Sequence, residues 1–170
     1  HQPMAYVARK HLYELNERMG RVIGADPREI VFTSGGTESD LLALRGVMAS
    51  AKPPRVELVI SAIEHHAVLL EAERMKAEGA FVPLAPVSSA GVVDLDALRK
   101  LVSERTALVS VMYANNETGM IQPVAEIAKL AHAAGAKYHC DAVQAFGKLD
   151  VKPKQIGADL LTLAGAKFGG

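Results

Sequence analysis

Short apolar runs alternate along this chain with longer stretches in which apolar positions return every three or four residues. The first such stretch covers 4–23, where Tyr6-Val7, His11-Leu12, Leu15, Met19 and Val22-Ile23 fall at helical spacing. Gly24 closes that helix and Asp26-Pro27 supplies the turn after it. A short strand is expected over 29–32, followed by a helix that opens in a Gly-rich stretch and runs to about Ser50. Pro53-Pro54 separates that helix from a strand over 56–60. A strand-to-helix junction at 61–66 leads into a helix from Ala67 to about Gly79. The segment 80–84 reads as an edge strand, because Pro83 cannot donate to a central ladder. Asp94 is placed to cap a short helix over 95–102. The run 106–112 is apolar throughout, as a strand buried on both faces requires. After a loop over 113–119, Pro123 starts a helix that Gly135 ends. Two further strands are expected, one delivering Asp141 at its carboxyl end and one over 158–163. Alternating strands and helices, without repeats or low-complexity linkers, predict an α/β fold: a mostly parallel sheet with helices on both faces.

Ligands of such sheets bind beyond the carboxyl ends of the strands. The polar clusters all fall at such ends: 34–37, 64–66, 115–117, 141–144 and Lys167. Asp141 and Lys167, an acid and an amine ending neighbouring strands, suit pyridoxal phosphate. The amine can bond covalently to the aldehyde, and the acid can keep the pyridine nitrogen protonated.

Each cluster also has a plainer reading. Gly35-Gly36-Thr37 before a helix offers free N–H groups to a phosphate, yet Gly turns with a Ser or Thr cap are common. His65 or His66 can stack on an aromatic ring and move protons, or simply cap a helix; no ligand spacing supports a metal. Asn115-Asn116-Glu117 suits a tight turn, and an amide there can also donate to a phenolate oxygen. Asp141 ends a buried strand, where an unpaired carboxylate is expensive; a pyridinium would pair it, and a helix N-cap at Ala142 is the other use. Cys140 points away from the Asp141 face and belongs to the core as a small hydrophobe. Lys167 stands among Gly165, Ala166, Phe168, Gly169 and Gly170, which predicts a desolvated amine rather than a solvated surface Lys.

Composition narrows the setting. The 170 residues are 49% hydrophobic with no Trp, enough for one domain with a real core or for part of a larger one. Nineteen basic residues balance nineteen acidic ones, which argues against nucleic acid or an anionic membrane as partner. No apolar run approaches the ~20 residues of a membrane span, and no signal-peptide pattern is present. A single Cys excludes an internal disulfide and fits a reducing, cytoplasmic location. Both ends read as cut, with His1-Gln2-Pro3 leading straight into a helix and Gly169-Gly170 following the Lys; a piece of a longer protein is expected.

Taken together, the clusters resemble the cysteine desulfurases of the class V aminotransferase group. The matching stretches are Phe32-Thr33-Ser34-Gly35-Gly36-Thr37-Glu38-Ser39-Asp40, Glu64-His65-His66-Ala67-Val68-Leu69 and Asn115-Asn116-Glu117-Thr118-Gly119, then His139-Cys140-Asp141-Ala142-Val143-Gln144-Ala145-Phe146-Gly147-Lys148 and the segment 164–170. The resemblance implies the large domain of a pyridoxal-phosphate-dependent transferase, incomplete over 1–170, with an N-terminal segment and a C-terminal small domain outside it. It implies removal of sulfur from L-cysteine, giving L-alanine and an enzyme persulfide for sulfur transfer and iron–sulfur cluster assembly. It also implies a homodimer and a sulfur-acceptor or scaffold protein as partner.

By position, Thr37 and the Gly36 backbone would hold the phosphate, His65 would stack on the ring and assist proton transfers, and Asn116 would bond the phenolic oxygen. Asp141 would hold the pyridine nitrogen, Gln144 the phenolate side, and Lys167 would carry the cofactor covalently and shuttle the substrate α-proton. The last motif departs from the family: Ala166 stands where a phosphate-binding His is usual, and Ala164 lacks a hydroxyl, so weaker cofactor retention is expected. The family's sulfur-accepting Cys and substrate-carboxylate Arg would lie beyond Gly170, so the segment alone is expected to be inactive. Two other readings stay open: a selenocysteine lyase or other class V enzyme, and a non-catalytic relative serving as a binding or assembly partner.

Overall fold

Leu58 and Ile60 point to one side of their strand and Val59 to the other, and all three are fully buried. That alternation under two covering layers organises the molecule. In the computed structural model, which describes residues 2–167, the strands are β1 (Glu57–Ser61), β2 (Leu84–Ala85), β3 (Thr106–Ser110), β4 (Lys137–Asp141) and β5 (Leu160–Thr162). All neighbours pair in parallel, in the order β2-β1-β3-β4-β5. Chain order therefore reverses between β1 and β3, which makes the loops after these two strands the natural mouth of a ligand crevice.

Helices α2 (Gly36–Ser50) and α3 (His66–Ala77) cover one face; Leu44, Val68, Ala72 and Met75 pack there on Leu58, Ile60 and Leu108. On the other face, α4 (Leu95–Leu101), α5 (Val124–Ala133) and the short α6 (Pro153–Ile156) bring Leu98, Ile127, Ala131 and Ile156 onto Val59, Val109, Tyr138 and Cys140. Met19 and Ile23, near the end of α1 (Gln2–Ile23), join this second core. The expected α/β architecture with helices on both faces is thus observed.

Local chemistry sets the boundaries. Asp94 Oδ1 accepts from the N–H groups of Asp96 and Ala97 and caps α4 as expected. Gly135 takes φ +74° to end α5, and Arg55 packs against it while donating to the carbonyls of Ala134 and Thr106.

Two expectations need correction. No strand forms over 29–32: residues 27–29 make a 3-10 turn capped by Asp26, and Val31 and Phe32 then run exposed in extended chain. The segment has apolar β-formers but no partner strand among the described residues, so nothing satisfies a ladder. The edge strand expected over 80–84 pairs as β2 only at Leu84–Ala85, although Phe81 and Pro83 carbonyls also accept from β1 N–H groups. Pro83 has no N–H to return. The helix expected over 4–23 is observed as α1, with Tyr6, Val7, Leu12 and Leu15 exposed and Met19 and Ile23 packed on the core.

Candidate functional site

On the α2 side of the sheet, side chains change from apolar to polar as the strands approach their carboxyl ends. Leu108 gives way to Ser110, and β4 and β5 present His139, Asp141 and Thr162, all buried. His139 Nδ1 lies 2.9 Å from Ser110 Oγ and its Nε2 3.0 Å from Thr162 Oγ1, which in turn is 3.1 Å from Ser39 Oγ on α2. This chain of hydroxyls and one imidazole ties β3, β4, β5 and α2 together. Burial drives the His139 pKa down to about 4, so the ring is neutral.

Asp141 closes β4 with 5% exposure, and its Oδ1 accepts the Val143 N–H at 2.9 Å. The helix that this carboxylate was free to cap does not form; residues 142–145 make a turn instead. Burial raises the Asp141 pKa, opposed by the Val143 N–H and by the nearby His65 imidazole. Asp40, on α2, is 1% exposed, and its Oδ1 has no hydrogen bond; His139 Nε2 lies 3.6 Å away. Burial first, and the neighbouring Asp141 second, push Asp40 up to about 8. Glu64, after β1, is pushed up to about 8 by burial, although its Oε1 accepts from Ser61 Oγ and from the Met112 N–H at 2.8 Å. Its Oε2 is buried without a partner. Three acids thus converge with no Lys or Arg paired to any of them among the described residues.

The N-terminus of α2 lies beside them. No side chain caps it, so the first-turn N–H groups of Gly36 and Thr37 are open. A Cβ at Gly36 would stand 3.0 Å from Val143 Cγ2 and 3.8 Å from the Ala164 Cβ, which shows how closely this turn approaches the ends of β4 and β5. The 34–37 cluster therefore reaches the carboxyl end of the sheet through a helix start, not through the strand expected before it. Thr37 is exposed there.

His65 and Asn116 meet across the β1/β3 reversal, in a cleft of about 390 Å³ that Glu64, His66, Gly91 and Asn115 also line. His65 caps α3, with Nδ1 accepting the Ala67 N–H at 3.2 Å; its Nε2 is left to act toward the cleft. Asn115 braces the loop, donating to the Ile63 carbonyl at 3.0 Å and accepting from the N–H groups of Glu117 and Thr118. Asn116, beside it, is exposed.

Gln144 is half-buried in the turn after β4. Lys167 ends a 3-10 turn, Gly165–Lys167, and is exposed. The expected desolvation of this amine is therefore not met: no described element packs over it, and Phe168, Gly169 and Gly170 lie outside the described residues. Cys140 is fully buried in the core, and burial pushes its thiol well up, as its assignment to the core requires.

Sequence reasoning included Glu64 in the 64–66 cluster and Asp40 in a matching stretch, but gave neither a role. The available signal was an acid three and four residues before Ala43 and Leu44, on the buried stripe of a helix.

The chain is similar in sequence and in fold to known proteins. A cysteine desulfurase from Cereibacter sphaeroides is 48% identical over 151 residues, covering 88% of this chain and 39% of that protein. A NifS-like protein of known structure superposes with a TM-score of 0.94 at 36% identity, over 99% of this chain and 47% of that one. The structure of SspA in complex with cysteine gives 0.89 at 32% identity, over 98% and 48%. The chain spans less than half the length of these relatives. The aminotransferase class-V family matches residues 3–170, and the chain belongs to it.

Proposed function

We propose that this chain forms the pyridoxal-phosphate-binding part of a cysteine desulfurase, which removes sulfur from L-cysteine to give L-alanine and an enzyme persulfide. One observation carries the reading: an uncapped helix start suited to an anion sits beside a buried carboxylate that lacks a cation. Pyridoxal phosphate has both partners, a phosphate and a protonated ring nitrogen. The unpartnered oxygens of Asp40 and Glu64 fit the same conclusion, since a cationic ring would offset their crowding. When bound, the cofactor supplies an electron sink for breaking bonds at the substrate α-carbon.

The residues take the following parts. The Gly36 and Thr37 N–H groups and Thr37 Oγ1 hold the phosphate, and Asp141 holds the proton of the ring nitrogen. His65 would stack on the ring and could move a proton at Nε2, because Nδ1 is engaged in the α3 cap. Asn116 donates from Nδ2 to the phenolic oxygen, with Gln144 on the same side. Lys167 Nζ would hold the cofactor covalently and would carry the substrate α-proton. Cysteine as substrate is supported by the cysteine-bound SspA relative. A homodimer, a sulfur-accepting or scaffold partner, iron–sulfur cluster assembly and a cytoplasmic location extend the reading from the family; no helix among the described residues is long and apolar enough to cross a membrane.

The test is chemical. Full-length protein incubated with pyridoxal phosphate and reduced with borohydride should carry the cofactor on Lys167, located by peptide mass, and should release alanine from L-cysteine. Label on another residue, or none, would overturn the assignment.

A further inference from the structure

We propose that Asp40 is a positioning residue for the cofactor's ring nitrogen, acting through Asp141: of these two buried acids it keeps the proton, so that Asp141 carries the charge. The inference rests on the function proposed above.

Asp40 and Asp141 come from different elements, α2 and β4, into one buried space at 1% and 5% exposure. Two carboxylates there do not both ionise without a cation, and among the described residues neither pairs with Lys or Arg. Their surroundings divide the roles. Asp141 Oδ1 accepts the Val143 N–H at 2.9 Å, and the His65 imidazole is close by; both favour its charged form. Asp40 Oδ1 receives no donor. The nearest ring nitrogen, His139 Nε2, is 3.6 Å away and already engaged with Thr162 Oγ1 at 3.0 Å. Ser39, next to Asp40 on α2, turns its hydroxyl to the same Thr162. From the polar chain Asp40 gains only the Thr162 hydroxyl, which favours its charged form less than burial opposes it, and Oδ1 stays without a donor. The other titratable groups near the pair are Glu64 and His65 from the β1–α3 junction and the Cys140 thiol from β4. Glu64 has its own donors in Ser61 and Met112. Burial and the charge of Asp141 agree with the geometry, holding Asp40 at about 8.

Asp40→Asn keeps the shape and fixes the side chain as a neutral donor, so it separates a proton-keeping role from an anionic one. The full-length protein, this variant and Asp40→Ala are titrated with pyridoxal phosphate from pH 6 to 10. Asp40→Asn should bind within about threefold of the parent at neutral pH. Its affinity should change less than the parent's near pH 8, the remainder coming from Glu64, and Asp40→Ala should follow it. Chemical denaturation of the cofactor-free proteins adds a readout independent of binding. The parent should lose stability as pH rises from the ordinary carboxylate value of 3.8 through about 8, and both variants should lose less. A loss of about tenfold or more in Asp40→Asn at neutral pH would show that Asp40 acts as an anion, and superimposed parent and variant profiles would show that it does not titrate. Either result overturns this inference and leaves the cofactor site standing. A parent that takes up no pyridoxal phosphate overturns both.

Discussion

Buried acids occur in two kinds of surroundings in this molecule. Glu71, on α3, faces Arg45 on α2 through two hydrogen bonds of 2.8 and 2.6 Å, with Arg74 at 3.8 Å. Glu57, at the start of β1, meets Arg105 at 2.5 Å. At the carboxyl end of the same sheet, Asp40, Glu64 and Asp141 are as deeply buried and have no such partner among the described residues. The Arg45 contacts hold Glu71 below the usual carboxylate range, whereas burial lifts all three acids of the other group. A fold that pairs its acids elsewhere and leaves three unpaired in one place has made that place costly when empty and receptive to a cation.

The contrast breaks most sharply at Asp141. Asp141→Ala should weaken pyridoxal phosphate binding about a hundredfold, the worth of one hydrogen bond to a charged group, in an equilibrium titration. It should leave the cofactor-free protein as stable as before or more so, because an unpaired buried acid is removed. Arg45→Ala should do the opposite. It strips Glu71 of its two best donors and should cost about 2 kcal/mol in chemical denaturation, with cofactor affinity little changed.

The pH dependence of the cofactor-free protein sharpens the comparison further. Asp40 and Glu64 bind protons more tightly folded than unfolded, so stability falls as pH rises through their ordinary values of 3.8 and 4.5 toward about 8. His139 works against this. Its pKa drops from 6.5 to about 4 on folding, so its contribution rises with pH across that interval and then stops. The decline should therefore be steepest between pH 6.5 and about 8, and bound cofactor should flatten it. The smallest effect is expected from Arg105→Ala, where the Arg is 60% exposed at the far end of the sheet: about 1 kcal/mol or less, and no change in cofactor affinity.

The sequence made the sheet legible where strands are buried on both faces. The run behind β3 and the alternation of Tyr138, His139, Cys140 and Asp141 both appear in the structure. It misled at 29–32, because Ile30, Val31 and Phe32 have strand character and only the tertiary arrangement reveals that no neighbour pairs with them. The five polar clusters were visible as chemistry. Their grouping was only partly so: His65 with Asn116 follows from adjacent parallel strands, whereas Gly36 reaches Val143 and Ala164 through helix packing that no local pattern encodes. The burial of Asp40 was legible from its place before Ala43 and Leu44, but its approach to Asp141 comes from helix packing of the same kind.

In the proposed function, Asp141 pairs with the positive charge of a ring nitrogen. The direct measurement compares the affinities of pyridoxal phosphate and of its analogue with carbon in place of that nitrogen, for the full-length protein and for Asp141→Ala. The account predicts that the parent prefers pyridoxal phosphate by about tenfold or more, and that the variant binds the two alike. An equal preference in both proteins would contradict it.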